Sequence, residues 1–436
     1  MATERPLGPL HVAAVVVGAI VGVGIFFTPA TLARALPSPA WVLGIWLLGG
    51  VVSAAGAFIF AELGGRYPRA GGIYVFLREG FGPKTGPFMA FQYGWHQMLV
   101  IQPGAMGVVA IVLVDHVAFL TGPIPEALRT GGAIFAILVF TAANLLGLQT
   151  GGRIQVVTAG MKLGALAVLV GIGIGWGDSA KVFAARSAAP EGSWPSWLVL
   201  GLIPVLFSFG GAYHATYIAG SVRDPERSLP RGILAGVGAV LVAYLAVNVA
   251  YLGLLGHDGL AASESPAAQA TALALGSLAG KALAATIVLS AAGILNTVCL
   301  GFPFVVFAMA RDKLFFEWAG RLHDRTGRPT QAVGLQGLLA CVAILVGSSR
   351  VDVLLTGMAF VDALFQAAVA VVHLRVRRDP AAAGVLRAPA AAAWIFLVLE
   401  LGLAIGCLLR KPVESAYGAT VLVAGAVVWW LWRRAR

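Results

Sequence analysis

Apolar runs of roughly 18 to 25 residues, the length a helix needs to cross a bilayer, recur along the whole 436-residue chain. Twelve of them stand near residues 10–33, 40–64, 86–119, 131–149, 154–176, 196–219, 231–256, 281–309, 331–347, 351–374, 390–409 and 416–432. Backbone in lipid must satisfy its own N–H and C=O groups, so spans of this length are expected to be helices. Hydrophobic residues make up 59% of the chain and charged ones 11%, and no soluble core could hide that much apolar surface. The expected class is an all-α polytopic membrane protein with 12 transmembrane helices. Residues 10–27, followed by Ala35-Leu36-Pro37-Ser38-Pro39-Ala40, have the outline of a cleaved signal peptide. The run is long for that purpose, and its glycines ask for another explanation.

The formal charge of +11 could suggest a nucleic-acid partner, but its distribution argues against one. Basic residues sit in alternate short loops: Arg66, Arg69, Arg78 and Lys84 after span 2, Arg153 after span 4, and Arg223, Arg227 and Arg231 after span 6. Arg311, Lys313, Arg321, Arg325 and Arg328 follow span 8, and Arg375, Arg377, Arg378 and Arg387 follow span 10. With Arg5, Arg433, Arg434 and Arg436, they mark the cytoplasmic side and put both termini there. The expected location is the cytoplasmic (inner) membrane, with Trp429, Trp430 and Trp432 as an interfacial belt before the basic tail. Cys299, Cys341 and Cys407 stand inside apolar runs and form no CxxC spacing, so they read as packing residues and imply no metal. No HExxH or paired Cys/His motif is present, which argues against a membrane-embedded enzyme such as an acyltransferase, and no cofactor is expected.

Two of the runs are interrupted. Gly18-Ala19-Ile20-Val21-Gly22-Val23-Gly24-Ile25-Phe26 places three glycines inside span 1. Each costs about 1 kcal/mol relative to alanine in a helix. Backbone freed from a helix at membrane depth must be buried in protein or line a watery cavity. Close packing through small residues is the alternative for this stretch alone. Span 6 repeats the feature in Pro204-Val205-Leu206-Phe207-Ser208-Phe209-Gly210-Gly211-Ala212-Tyr213-His214. Matched interruptions five spans apart point to a transporter binding site between inverted repeats, with spans 1 and 6 broken.

Four ordered motifs carry a resemblance. They are the span 1 stretch just quoted; Ala61-Glu62-Leu63-Gly64-Gly65-Arg66-Tyr67-Pro68-Arg69-Ala70-Gly71-Gly72-Ile73-Tyr74 and on to Glu79; Arg223-Asp224-Pro225-Glu226-Arg227-Ser228-Leu229-Pro230-Arg231; and Ala310-Arg311-Asp312-Lys313 with His323 and Pro329 downstream. With these the chain resembles the amino acid–polyamine–organocation (APC) superfamily, and within it the sodium-independent, L-type-like amino acid transporters. The likeness is strong from Gly18 to about Thr330 and weaker beyond. It implies a single domain over 1–436 with a LeuT-like 5+5 inverted repeat: 10–176, 196–374, and two peripheral helices in 390–432. The implied activity is alternating-access transport of amino acids, by sodium-independent exchange or proton symport. A polyamine or other organic-amine carrier of the same fold is the alternative, followed by a binding-only receptor. The implied partners are the substrate and the lipid bilayer. The chain is read as possibly monomeric, and no exterior cysteine suggests a tether to an accessory subunit.

The resemblance and half-helix polarity agree on a site made largely of backbone. N–H groups of Val23 and Gly24 would take the substrate carboxylate, and the carbonyls of Ile20, Phe207 and Gly210 its ammonium, with Gly22, Ser208 and Phe209 in the same stretches. The family commonly has Ser where Val23 stands, and aromatic or polar residues at Ala212 and Tyr213. Gly210 stands where some relatives that accept cationic substrates have an acid, which favours neutral substrates. Phe207 reads as a gate or as an ordinary packing aromatic. Lys162, well inside span 5, would stand where sodium-coupled relatives bind an ion, tied to the Gly22 carbonyl and to Ser290 in span 8; the alternative is a snorkelling lysine. His214 either titrates as a proton or gating group or bonds between helices. His96, Asp115 and His116 are expected near span ends, Asp362 in a structural role, Glu400 in an interhelical bond, and Glu62 paired with Arg66. Ser221 replaces an acid common in relatives, which puts a gate salt bridge there in doubt.

Overall fold

The computed structural model describes residues 8–69, 71–147, 152–184, 192–217, 222–347, 350–379 and 385–434. The first apolar run is two helices, α1 (Pro9–Ile20) and α2 (Gly24–Ala35), which meet at 48°. Next come α3 (Pro39–Arg66) and the short α4 (Ile73–Gly80). The helices α5 (Gly82–His96) and α6 (Gln102–Thr121) run on through a π-helical stretch, Gln97–Ile101. Pro103 has no N–H to return to the turn before it, a local reason for the wider winding there. Then follow α7 (Glu126–Leu145), α8 (Gly152–Trp176), α9 (Ser179–Phe183), α10 (Trp194–Phe209) and α11 (His214–Tyr217). The remainder is α12 (Pro225–Ala262), α13 (Pro266–Leu275), α14 (Ser277–Arg311), α15 (Thr330–Val346), α16 (Val351–Val376), α17 (Ala390–Arg410) and α18 (Pro412–Arg434).

Over their described residues the twelve apolar runs are helical, the first and the sixth each divided between two helices. Among the described residues, nine helices are long and apolar enough to cross a membrane, and the bent α1–α2 pair makes a tenth. Two more apolar helices, Gly160–Trp176 and Thr330–Val346, are shorter. The structure adds elements that a search for membrane-length runs passes over. The helix α12 continues six residues past the expected end of its run and bends at Gly256, whose φ is +67°. Pro266 opens α13 and Gly276, at φ +91°, closes it, the usual start and stop residues of a short helix.

Small residues let the helices come close. Val12 and Val16 of α1, both fully buried, lie over Gly232 and Gly236 of α12, and a Cβ on Gly236 would stand 2.7 Å from Val16 Cβ. That four-residue spacing of small residues is how helices approach without a hydrophobic drive between them. The helix α12 also packs on α2, α3 and α8, while α16 pairs with α17 and α14 lies against α6. Trp46 of α3, Phe209 of α10 and Tyr244 of α12 meet with ring centroids 5.2 to 5.9 Å apart. Such pairs contribute about 0.5–1.5 kcal/mol each beyond their buried area, and here they fix the end of α10. Large apolar side chains such as Phe135, Ile405 and Leu409 face outward, as suits lipid better than water.

Candidate functional site

The two helix breaks lie side by side. The last bond of α1 runs from the Val21 N–H to the Val17 carbonyl, and α2 restarts at Gly24. The closing carbonyls of α1 and the opening N–H groups of α2 therefore lack partners inside their own helices. Opposite them, α10 stops at Phe209, and Gly210 and Gly211 carry the chain across. Gly211 has φ +117°, and an added Cβ would lie 2.9 Å from the Ala19 carbonyl oxygen. Both facts demand glycine. A Cβ on Gly24 would likewise stand 2.9 Å from Ser208 Cα.

Side chains hold this crossing in place. Thr28 Oγ1 and Ser208 Oγ are 2.9 Å apart, and the Ser208 hydroxyl donates to the Pro204 carbonyl at 2.8 Å. The Tyr244 hydroxyl lies 3.0 Å from the Ile20 carbonyl and 3.2 Å from the Ser208 carbonyl, so it reaches both breaks. It has one proton and can donate to one carbonyl at a time, and a carbonyl has two lone pairs. Ile20 keeps acceptor capacity for a ligand. Sequence reading missed Tyr244, because nothing in the sequence near residue 244 signals that a partner lies 224 residues away.

A cavity of about 250 Å³ opens between the breaks. Ile20, Gly22, Val23 and Gly24 line it from the first break, and Phe207, Ser208, Phe209 and Gly210 from the second. The structure thus brings together all eight expected binding positions. The Phe209 ring, only 2% exposed, turns away to Trp46 and Tyr244, which leaves its backbone toward the site. Phe207 is half-buried, 6.2 Å ring to ring from Phe27. Phe27 lines a second cavity, of about 510 Å³, whose walls include Arg34, Asp115, Arg129 and Arg350. The Phe27–Phe207 pair therefore stands between two chambers. His214 lines the central cavity with its ring 4.9 Å from that of Tyr213.

Lys162 is 7% exposed and donates to the Gly18 carbonyl at 3.1 Å. The carbonyl it meets is thus four residues before the expected Gly22. Ending the helix at Ile20 deprives Gly18 of its usual partner, the Gly22 N–H, so its carbonyl is free to accept. A positive group at a helix C-terminus is also favoured by the dipole. Ser290 Oγ is buried without a hydrogen-bond partner among the described residues, so the expected tie from Lys162 to Ser290 is not formed. The lysine is anchored inside the bundle and does not snorkel.

Near the other end of the bundle, Glu62 pairs with Arg66 as the spacing predicts, at 2.8 Å. Its second oxygen accepts from His373 Nε2 at 2.8 Å and from the Ala388 N–H at 2.7 Å, joining α3, α16 and the segment before α17. Asp312 accepts from the Tyr74 hydroxyl at 2.9 Å and from Arg78 at 2.7 Å. Burial and the neighbouring Asp312 carboxylate hold the Tyr74 hydroxyl above its ordinary pKa, which keeps it a donor. These links connect residues of the quoted motifs to partners that spacing cannot reveal.

Asp115 and His116 stand near the end of α6 as expected, while His96 and Glu400 differ from expectation. His96 sits inside the α5–α6 rod and not near its end, fully buried and bonded to the Gln92 carbonyl, where α5 passes into the π-helical stretch. Asp115 pairs with Arg129 at 2.8 Å. Asp362 and Glu400 both line the central cavity, and no hydrogen bond of Glu400 is formed with another described residue. Ser221, Arg5, Ala70 and Arg436 lie outside the described residues.

Comparison with known proteins accords with this geometry. The profile of the amino acid permease family matches residues 7–432. The chain is 28% identical to the serine/threonine exchanger SteT of Bacillus subtilis, over 83% of this chain and 82% of that protein. It is 25% identical to the Asc-type amino acid transporter 1 of Mus musculus, over 99% of this chain and 82% of the other. It is 26% identical to the mouse large neutral amino acids transporter small subunit 2, over 99% and 81%.

Proposed function

The chain belongs to the amino acid permease family, a family of transporters and not enzymes, and on that premise we propose that it exchanges amino acids across the cytoplasmic membrane by alternating access, without sodium. The observation that carries the reading is the single cavity shared by two broken helices. The opening N–H groups of α2, at Val23 and Gly24, form the positive end of its helix dipole and hold the substrate carboxylate. The carbonyls of Ile20, Phe207 and Gly210 hold its ammonium, with a lone pair to spare at Ile20 and Phe207 beside their bonds from the Tyr244 hydroxyl and the Gly210 N–H. Backbone therefore reads the part common to all amino acids, and the remaining walls read the side chain. Neutral amino acids are the first class to try, on the absence of an acid at Gly210 and the printed names of the relatives.

Lys162 supplies a fixed positive charge at the end of α1, where its bond to the Gly18 carbonyl does the work of a bound sodium ion. The twelve helical runs make up twelve spans, in two inverted repeats over 10–176 and 196–374 with a peripheral pair in 390–432. Basic loops on alternate sides put both termini in the cytoplasm. The Phe27–Phe207 pair forms the barrier on one side of the substrate, and the Glu62–Arg66–His373 network ties the helices on the other. Alternating access then requires the two to open in turn. No second subunit is invoked.

Counterflow tests the reading. Purified chain in liposomes loaded with serine or leucine should accumulate the labelled amino acid, and replacing sodium by choline should change nothing. A strict sodium requirement would refute the role given to Lys162. Uptake driven by a pH gradient into empty liposomes would make the protein a proton symporter. Uptake of organic amines in preference to amino acids would favour the amine carrier.

A further inference from the structure

Asp362 of α16 and Glu400 of α17 line the same cavity as the helix breaks, on a different wall. Phe396, Glu400 and Leu403 fall on one face of α17, and that face lines the cavity. Glu400 is 5% exposed, and neither a hydrogen bond nor an ion pair reaches it from the described residues. Asp362 has one long contact, from Gln366 Nε2 at 3.4 Å. The Gln366 carbonyl oxygen is itself buried and unbonded. Both carboxylates stand on the part of the cavity wall made by α16 and α17, which pack against each other. Among the described residues that line this cavity there is no Lys or Arg.

A buried carboxylate without a partner is costly and calls for a proton or a cation. An ionisable group at membrane depth is by default part of the functional path. The helix breaks already balance the two charges of an amino acid backbone, so a positive charge on the substrate side chain is left to meet these carboxylates. We infer that Asp362 and Glu400 form a subsite for a cationic side chain, so that the cavity accepts basic amino acids with the ammonium or guanidinium between the two carboxylates. This rests on the reading of the helix breaks as the amino-acid site. It also widens the substrate range beyond what Gly210 suggests, since the acids stand on other helices.

Lysine and norleucine test it, because they differ chiefly in the terminal ammonium. Binding to the full-length purified chain is read by thermal shift, which needs no flux, and transport by counterflow. The expected result is a larger thermal shift with lysine than with norleucine, and counterflow of lysine. Glu400→Gln should lower the lysine-to-norleucine ratio at least tenfold. Asp362→Asn should do the same and serves as the second variant should the first misfold, with monodispersity on gel filtration as the check. Equal or stronger binding of norleucine, or a ratio unmoved by both variants, overturns the subsite. So does a norleucine preference that strengthens in acid, which would make the carboxylates proton carriers. Stabilisation by lysine with no flux of any amino acid would retain the subsite and overturn the exchanger.

Discussion

The central cavity has two unlike walls. Toward α1, α2 and α10 it is faced by backbone whose position is fixed by close approach: Gly24 against Ser208, Gly211 against Ala19, and Tyr244 within reach of both breaks. Toward α16 and α17 it is faced by side chains, among them two carboxylates and Gln366. A backbone wall recognises what every amino acid has, and tolerates little change. A side-chain wall sets which amino acid is taken, and can change one residue at a time. The contrast implies that variants of the first wall affect all substrates alike, while variants of the second redistribute flux among them.

The largest effect is expected at Gly24. Gly24→Val would drive a branched side chain into Ser208, whose Cα is 2.9 Å from the position of a Cβ. Overpacking of this kind costs about 1–3 kcal/mol before any loss of geometry, and counterflow of lysine and norleucine alike should fall about a hundredfold or more. Preferential loss of one substrate would break the comparison. Lys162→Met comes next. A hydrogen bond to a charged group contributes about 1.5–3 kcal/mol, so exchange should drop roughly tenfold to a hundredfold for every substrate.

Tyr244→Phe removes one neutral hydrogen bond, worth about 1 kcal/mol, and should slow counterflow about fivefold while the lysine-to-norleucine ratio stays constant. The smallest effect is expected at Phe207, a half-buried ring that lines the cavity beside Phe27. Phe207→Leu keeps an apolar barrier beside Phe27 and should change the half-saturating concentration by about twofold to threefold, a change of under 1 kcal/mol. A tenfold change there would mean that the ring contacts the substrate more closely than its distance from Phe27 suggests.

The backbone wall was legible because its signal is local. Glycines interrupting an apolar run declare a helix break within a few residues, and the two runs lie five spans apart in matching places. The eight positions expected to bind substrate line one cavity. The other wall was not legible. Asp362 reads as a lone polar residue in an apolar span, and nothing in the sequence shows that α17 brings Glu400 to the same cavity. Lys162 lies between these cases. Its burial followed from its depth in span 5, but which carbonyl it meets depends on where α1 ends, and the structure ends it early enough to expose Gly18. His373 reaching Glu62 across 311 residues belongs with Glu400, a contact made by packing alone.

The central claim is that broken-helix backbone holds the carboxylate and ammonium that all amino acids share. Competition in the counterflow assay tests this most directly, with labelled leucine challenged by leucine, by its methyl ester and by its decarboxylated amine. Only leucine should compete strongly, because the ester offers the Val23 and Gly24 N–H groups no negative charge and the amine offers them no oxygen at all. Equal competition by the amine would contradict the account and leave the first helix break without its assigned role.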